Sequence, residues 1–506
     1  MSASVLFVGL DAYDAGLARQ WAKEGALPNL ARFLAHWQCL ETRLPVGVYS
    51  ASVWPTLNSG LPASEHGCYF RRVFDPANYL DVDMPQPDLG GDALWDRLSA
   101  AGCRVAVIDA PHTAVSPGIN GFQLVNWSGH DPEPMHTSAS DAALLQELRR
   151  RFGQPPLDRC EDVELDPQAR RELCEELLAR IDNKQRMASY LLQSRDWDLF
   201  YLVFGEAHCA GHQLWHTHEG QSVPDSQEDL LKPVYMRLDR ALGELVATDD
   251  VETVIVTLSH GMESAFGEAE ILEQVLNNLP SGTGLPESGR GVYRSVRRAF
   301  MRMPQKYRWH PWLQRPKAAL RALLQRQTLA RHRAALPWFF VPTNMSNPGF
   351  RLNLKGREAH GLVEPCAEEQ YWLDFLRNHF QAITVNGGKE RLVKAVYVMK
   401  EHAESTDKLP DLCIEWNREI PITSIEMPDG TVLRPRVHAR TGDHRPVGMF
   451  MLSAAAPRLA TSGKLPIEDV AGLVMDLVNA PAATPDDARR RVSMSAANCT
   501  VRGPGA

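Results

Sequence analysis

The sequence predicts an α/β protein, an α/β/α sandwich with a mainly parallel central sheet and an inserted basic helical cap. Three observations predict it. Apolar runs of strand length, such as residues 5–10 and 254–258, recur along the chain. Helix-length stretches with an apolar spacing near 3.6 residues alternate with them, which is the order that builds parallel sheets covered on both faces. Between residues 290 and 333 there are thirteen Lys or Arg and no Asp or Glu, a charge block unlike the rest of the chain.

Taken in order, residues 5–9 form a β-rich run that leads to Asp11, and a helix is expected over 16–35. A helix over 92–101 feeds a strand at 104–108, a long helical pattern over 167–194 feeds a strand at 199–204, and a helix over 231–247 feeds a strand at 253–258. The basic block sets Val292, Val296, Phe300 and Met303 against Arg294, Arg297, Arg298 and Arg302 at helical spacing. A second helix-like run covers 317–335, with Pro304, Pro311 and Pro316 as breaks. The block reads as a cap over 286–335. The core is expected to comprise 1–285 and 336–480, with a helix at 367–379, strands near Ala395 and at 411–416, and a last element at 467–478. The tail 481–506, rich in Pro, Ser, Ala and Arg, is expected to be disordered.

Composition narrows the class. With 506 residues, 44% hydrophobic and 23% charged, the chain reads as a soluble globular protein, and no apolar run reaches the length of a membrane-crossing helix. The N-terminus lacks a basic segment before its first apolar run, so a secretory signal is not expected and a cytoplasmic location is. Nine cysteines scattered singly, without a CxxC pair, fit reduced thiols. The net charge is −8, and setting aside the thirteen cations of the basic block leaves the other residues at −21. With no reader motif either, specific nucleic-acid recognition is not expected.

The polar residues at the predicted strand ends carry the chemistry. In open α/β sheets ligands bind beyond the carboxyl ends of the strands, where Asp11, the segment 206–212 and Ser259-His260 all fall. His208 and His212, four apart, share a helix face and can reach one ion; the plain alternative is two surface histidines near His216 and His218. Ser50 precedes a predicted helix. A hydroxyl there is ordinarily a cap, but near a metal it can act as a nucleophile. His444 lies far downstream in the run Thr441-Gly-Asp-His-Arg445. Several metal-competent residues on one sheet edge exceed coincidence.

These segments resemble the alkaline phosphatase superfamily, in particular its type I phosphodiesterase and nucleotide pyrophosphatase branch, over most of residues 5–480. The resemblance is carried by Gly9-Leu-Asp11, by 50–60 with Pro62 and His66-Gly67, by 206–212, by Ser259-His-Gly-Met262 and by Gly442-Asp-His-Arg445. It implies an alkaline phosphatase-like fold and two divalent metals, zinc or, failing that, Mn or Fe. Asp11, the Ser50 oxygen and His260, with Ser259 at a further ligand position, would hold one; His208, His212 and His444 would hold the other. It also implies a hydrolase that cleaves a phosphodiester or phosphoanhydride of a small anionic metabolite through a transiently phosphorylated Ser50. The ten-residue spacing to Gly60 favours Ser50 over Ser52. The alternatives on this scaffold are a phosphonate or sulfate ester hydrolase, a phosphoryl or sulfuryl transferase, and a decayed member that only binds a metal or ligand. The chain departs from the family pattern at Ser259 and His208, where the family has Asp. Glu206, Glu263 and Asp443 are the nearby carboxylates that can compensate. Lys355, Arg357 and Glu358 either hold substrate or tie the cap to the core.

Overall fold

The computed structural model describes residues 3–83, 93–128, 137–153, 165–219, 228–247, 251–277, 328–434 and 441–479, apart from 266, 345, 404, 421, 455 and 460–462. Of the expected cap over 286–335, residues 286–327 lie outside the described residues, as does the expected tail 481–506; residues 328–334 are helical.

Among the described residues nine strands make the central sheet: β1 (Ala3–Leu10), β2 (Gln38–Arg43), β3 (Val105–Ile108), β4 (Gly121–Val125), β5 (Ser138–Ala139), β6 (Trp197–Phe204), β7 (Val251–Leu258), β8 (Gly448–Leu452) and β9 (Leu465–Pro466). Their order is β9-β2-β8-β7-β1-β6-β3-β4-β5. The five central strands, β7 to β4, pair in parallel, and antiparallel pairs occur only toward the edges. The mainly apolar sequences of β1, β6 and β7 follow from this position, since a strand covered on both faces has no solvent-facing side.

Alternation along β1 divides the core in two. Leu6, Val8 and Leu10 face one apolar layer, and Val5 and Phe7 face the other. The first layer is closed by helices that include α2 (Pro167–Ser194), and the second by α1 (Tyr49–Ser59) and the helix Asp469–Asn479. This is the expected α/β/α sandwich.

One expectation changes. The single helix over 16–35 is two, Ala15–Lys23 and Pro28–His36. Gly25, at φ +85°, ends the first, and Pro28 starts the second at a position where its missing N–H costs nothing. The strands expected near Ala395 and at 411–416 are present and lie outside the central sheet. They join Trp338–Val341 and Gly349–Leu352 in a separate antiparallel sheet packed on the helix Ala367–Ala382. Arg351 and Arg357 stitch this sheet through Glu358 and Asp411, at 2.6–2.8 Å. Arg357 and Glu358 are therefore structural, while Lys355 pairs at the surface with Glu364.

Candidate metal and nucleophile site

The carboxyl ends of β1, β6 and β7 set the site. Asp11 N–H donates to Phe204 O at 2.9 Å and Ser259 N–H to Leu10 O at 3.2 Å, so the strand pairing carries on for one residue and brings both side chains to one edge. Just past β6, Glu206 opens α3 (Glu206–Glu219). His208 and His212 lie one turn apart on it, as the i, i+4 spacing demands.

His444 arrives on a short two-stranded ribbon in which Gly442–Arg445 pairs antiparallel with the sequence-distant Gly261–Ser264. Gly442 permits this, because a Cβ there would lie 2.3 Å from Gly211 O. The ribbon is anchored to α3 by Thr441 N–H donating to His212 O at 2.8 Å. The His444 carbonyl also accepts from Tyr49 Oη at 2.8 Å and Arg418 Nη1 at 2.7 Å.

Three imidazoles converge. His208 Nε2 lies 3.0 Å from His212 Nε2 and 2.9 Å from His444 Nε2. Among the described residues these form a group whose possible ligand atoms all fall within 4.8 Å of one another. The opposite ring nitrogens face the protein: His208 Nδ1 meets Asp11 Oδ2 at 2.7 Å, and His212 Nδ1 meets Gly442 O at 2.8 Å. An acceptor at Nδ1 places the ring proton there and leaves the Nε2 lone pair pointing inward, the arrangement of metal-ligating histidines. The donor set fits a divalent, imidazole-preferring ion.

Ser50 sits in the first turn of α1, whose N-cap is Val48. Its hydroxyl does not cap the helix. Ser50 Oγ lies 2.6 Å from His444 Nδ1 and accepts from Asn344 Nδ2 at 2.6 Å, while Asn344 Nδ2 is 2.8 Å from His444 Nδ1. The Asn344 amide is oriented by Ser346 N–H, which donates to Oδ1 at 2.9 Å. Sequence reasoning missed Asn344. Ser52, the competing serine, is fully buried.

The set Asp11, Ser50, Ser259 and His260 is arranged differently. Asp11 Oδ1 accepts from Trp54 Nε1 at 2.7 Å and from Ser259 Oγ at 2.8 Å, and it lies 3.8 Å from His260 Nε2. Ser259 Oγ itself accepts from Ala12 N–H at 3.1 Å. Ser50 makes its polar contacts with His444 and Asn344. Burial opposes ionisation of Asp11, but the charge and hydrogen bond of His208, with help from His260 and Trp54, hold its carboxyl well below the usual range. Burial pushes the His260 imidazole down to about 4.

The compensating carboxylates are committed elsewhere. Glu263 and Asp443 face Arg418 at 3.2 and 3.8 Å, and Glu206 pairs with the buried Lys184 at 3.1 Å.

A cluster of metal-competent imidazoles joined to a hydroxyl, on the carboxyl edge of an α/β/α sheet, is equipped for metal-assisted chemistry at that hydroxyl. The chain matches the family "Type I phosphodiesterase / nucleotide pyrophosphatase" over residues 5–372, more than half its length, and belongs to that family. Among solved structures it is similar to phosphonoacetate hydrolase from Sinorhizobium meliloti 1021. In complex with phosphonoformate that protein matches with 13% identity and a TM-score of 0.53, over 94% of this chain and 95% of that one. Its complex with phosphonoacetate gives 13% identity and 0.50 over the same shares. Murine ectonucleotide pyrophosphatase / phosphodiesterase 5 aligns over 95% of this chain and 96% of its own, at 14% identity and a TM-score of 0.45. At such identity the likeness to phosphonoacetate hydrolase shows the shared fold alone. Among curated proteins no relative matches. No helix among the described residues is long and apolar enough to cross a membrane.

Proposed function

We propose that this enzyme hydrolyses a phosphodiester or phosphoanhydride of a small anionic metabolite, with Ser50 as nucleophile and a divalent metal, zinc by preference, held by His208, His212 and His444. One observation carries the reading: Ser50 Oγ lies 2.6 Å from Nδ1 of His444, the ring whose Nε2 belongs to the imidazole cluster.

Ser50 Oγ attacks phosphorus as its proton passes to solvent and the bond to the leaving oxygen breaks, that oxygen taking up a proton from water; the serine phosphodiester so formed is then hydrolysed by water, which releases the phosphomonoester and restores the Ser50 hydroxyl. When bound, the metal supplies Lewis acidity and neutralises charge on the phosphoryl oxygens. In the tautomer that leaves Nε2 free for an ion, His444 Nδ1–H joins Asn344 Nδ2–H in donating to Ser50 Oγ. Two donors aimed at one oxygen stabilise the negative charge that builds on it. The N-terminal turn of α1 adds amide dipoles that favour an anionic phosphoryl group.

The seven described cysteines are free thiols, which supports a reducing compartment such as the cytoplasm. Steady-state hydrolysis of bis(p-nitrophenyl) phosphate tests the proposal. Activity is expected to vanish with chelator, return with Zn²⁺, and fall at least about 10³-fold in Ser50→Ala, the scale seen when a nucleophile is deleted. A Ser50→Ala enzyme with wild-type turnover would refute it.

A further inference from the structure

Two metals is the number the family pattern implies, and the side chains of this chain divide unequally between the two sets. The three Nε2 atoms of His208, His212 and His444 face a common point, with distances of 3.0 and 2.9 Å from His208 to the other two. Three imidazoles with an open fourth position make a complete catalytic site for one ion.

The other set is already satisfied by protein. A carboxylate has about four lone-pair directions, and three on Asp11 are taken. Trp54 Nε1–H and Ser259 Oγ–H occupy Oδ1, and His208 Nδ1–H occupies Oδ2. Because Ser259 Oγ accepts from Ala12 N–H, its own proton is directed to Asp11, so the residue at the family's carboxylate position acts as a neutral donor. Ser50 Oγ is turned to His444 and Asn344. His260 alone remains facing Asp11, at 3.8 Å, and one imidazole does not hold a divalent ion. The Asp11–His208 contact is that of a carboxylate orienting a histidine ligand from behind.

We infer that the centre is mononuclear: His208, His212 and His444 bind a single divalent ion through Nε2, and Asp11 is a positioning residue for His208 rather than a ligand. This rests on the metal site proposed above, and it is tested by stoichiometry rather than by activity.

The full-length protein, stripped with chelator and shown by circular dichroism to stay folded, is equilibrated with Zn²⁺ and analysed for zinc per chain. One ion per chain is expected. His260→Ala is expected to keep one ion at unchanged affinity, and Asp11→Asn one ion bound about 10- to 100-fold more weakly, the usual effect of losing a carboxylate behind a histidine ligand. His212→Ala is expected to bind none tightly. Adding the missing carboxylate, Ser259→Asp, is expected to raise the count to two. Two tightly held ions in the wild type, one of them lost in Asp11→Asn or His260→Ala, would overturn the inference. The two readings fail separately: two ions with Ser50-dependent turnover sinks only the single-ion centre, and one ion without turnover sinks only the proposed reaction.

Discussion

Replacing Lys184 with methionine is expected to destabilise the protein by about 3–5 kcal/mol, the usual cost of leaving a buried charge without its partner. Lys184 lies in α2 with its side chain 1% exposed. Its ammonium is 2.9 Å from Asp109 Oδ2 and 3.1 Å from Glu206 Oε1, and it donates to Val203 O at 3.1 Å. The two carboxylates are 3% and 1% exposed. At these separations each attraction is worth about 5 kcal/mol with an effective dielectric near 20, and the desolvation of three ions offsets most of that gain. Methionine fills the same volume, so the loss isolates charge from packing. Two buried carboxylates would then face each other at the first turn of the helix that carries His208 and His212. The assay is urea unfolding at pH 7.5 followed by circular dichroism. The triple variant Lys184→Met, Asp109→Asn, Glu206→Gln should recover most of the loss, since the penalty lies in uncompensated charge. A Lys184→Met protein within 1 kcal/mol of wild type, or one that neutral partners do not rescue, would refute the reasoning.

Three further outcomes follow. Asn344→Ala should lower kcat about 10²- to 10³-fold, as loss of a single preorganised donor does, with metal content unchanged by elemental analysis. His66 is buried, its Nδ1 accepts from Cys68 N–H at 2.9 Å, and burial pushes its imidazole down to about 4 from 6.5. The unfolded chain therefore takes up this proton first, so the contribution is complete above pH 6.5 and is lost as pH falls toward 4, by about 2 kcal/mol at pH 5. Urea unfolding of His66→Gln across that range should show a correspondingly smaller acid loss than wild type. Gly9→Ala would put a Cβ 2.5 Å from Cη2 of Trp54, the residue that donates to Asp11. Overpacking at this central strand should cost about 1–3 kcal/mol in the same unfolding assay and weaken Zn²⁺ binding by loosening Asp11.

The central sheet was legible because β1, β6 and β7 are buried on both faces and write that burial as unbroken apolar runs. The break at Gly25 and Pro28 was also on the page but was overrun by a helical spacing that continues on both sides of it. Asp11, Ser259 and His260 were readable as site residues because the end of an apolar strand marks its carboxyl edge. His208 and His212 were readable from their shared helix face. Asn344 was not, since it comes from a loop between two short strands of the second sheet and no local spacing ties it to Ser50. The role of Ser259 was equally hidden. The sequence shows a carboxylate missing there, and only the contacts with Ala12 and Asp11 show the hydroxyl holding that carboxylate's neighbour in place.

Acid-quench mass spectrometry can catch Ser50 in the act of nucleophilic attack. Zn²⁺-loaded enzyme mixed with excess bis(p-nitrophenyl) phosphate and quenched within the first turnover should yield a peptide carrying a p-nitrophenylphosphoryl group on Ser50, absent from Ser50→Ala and from chelated enzyme. Full product formation with no such adduct on Ser50 at any quench time, together with undiminished turnover in Ser50→Ala, would contradict it.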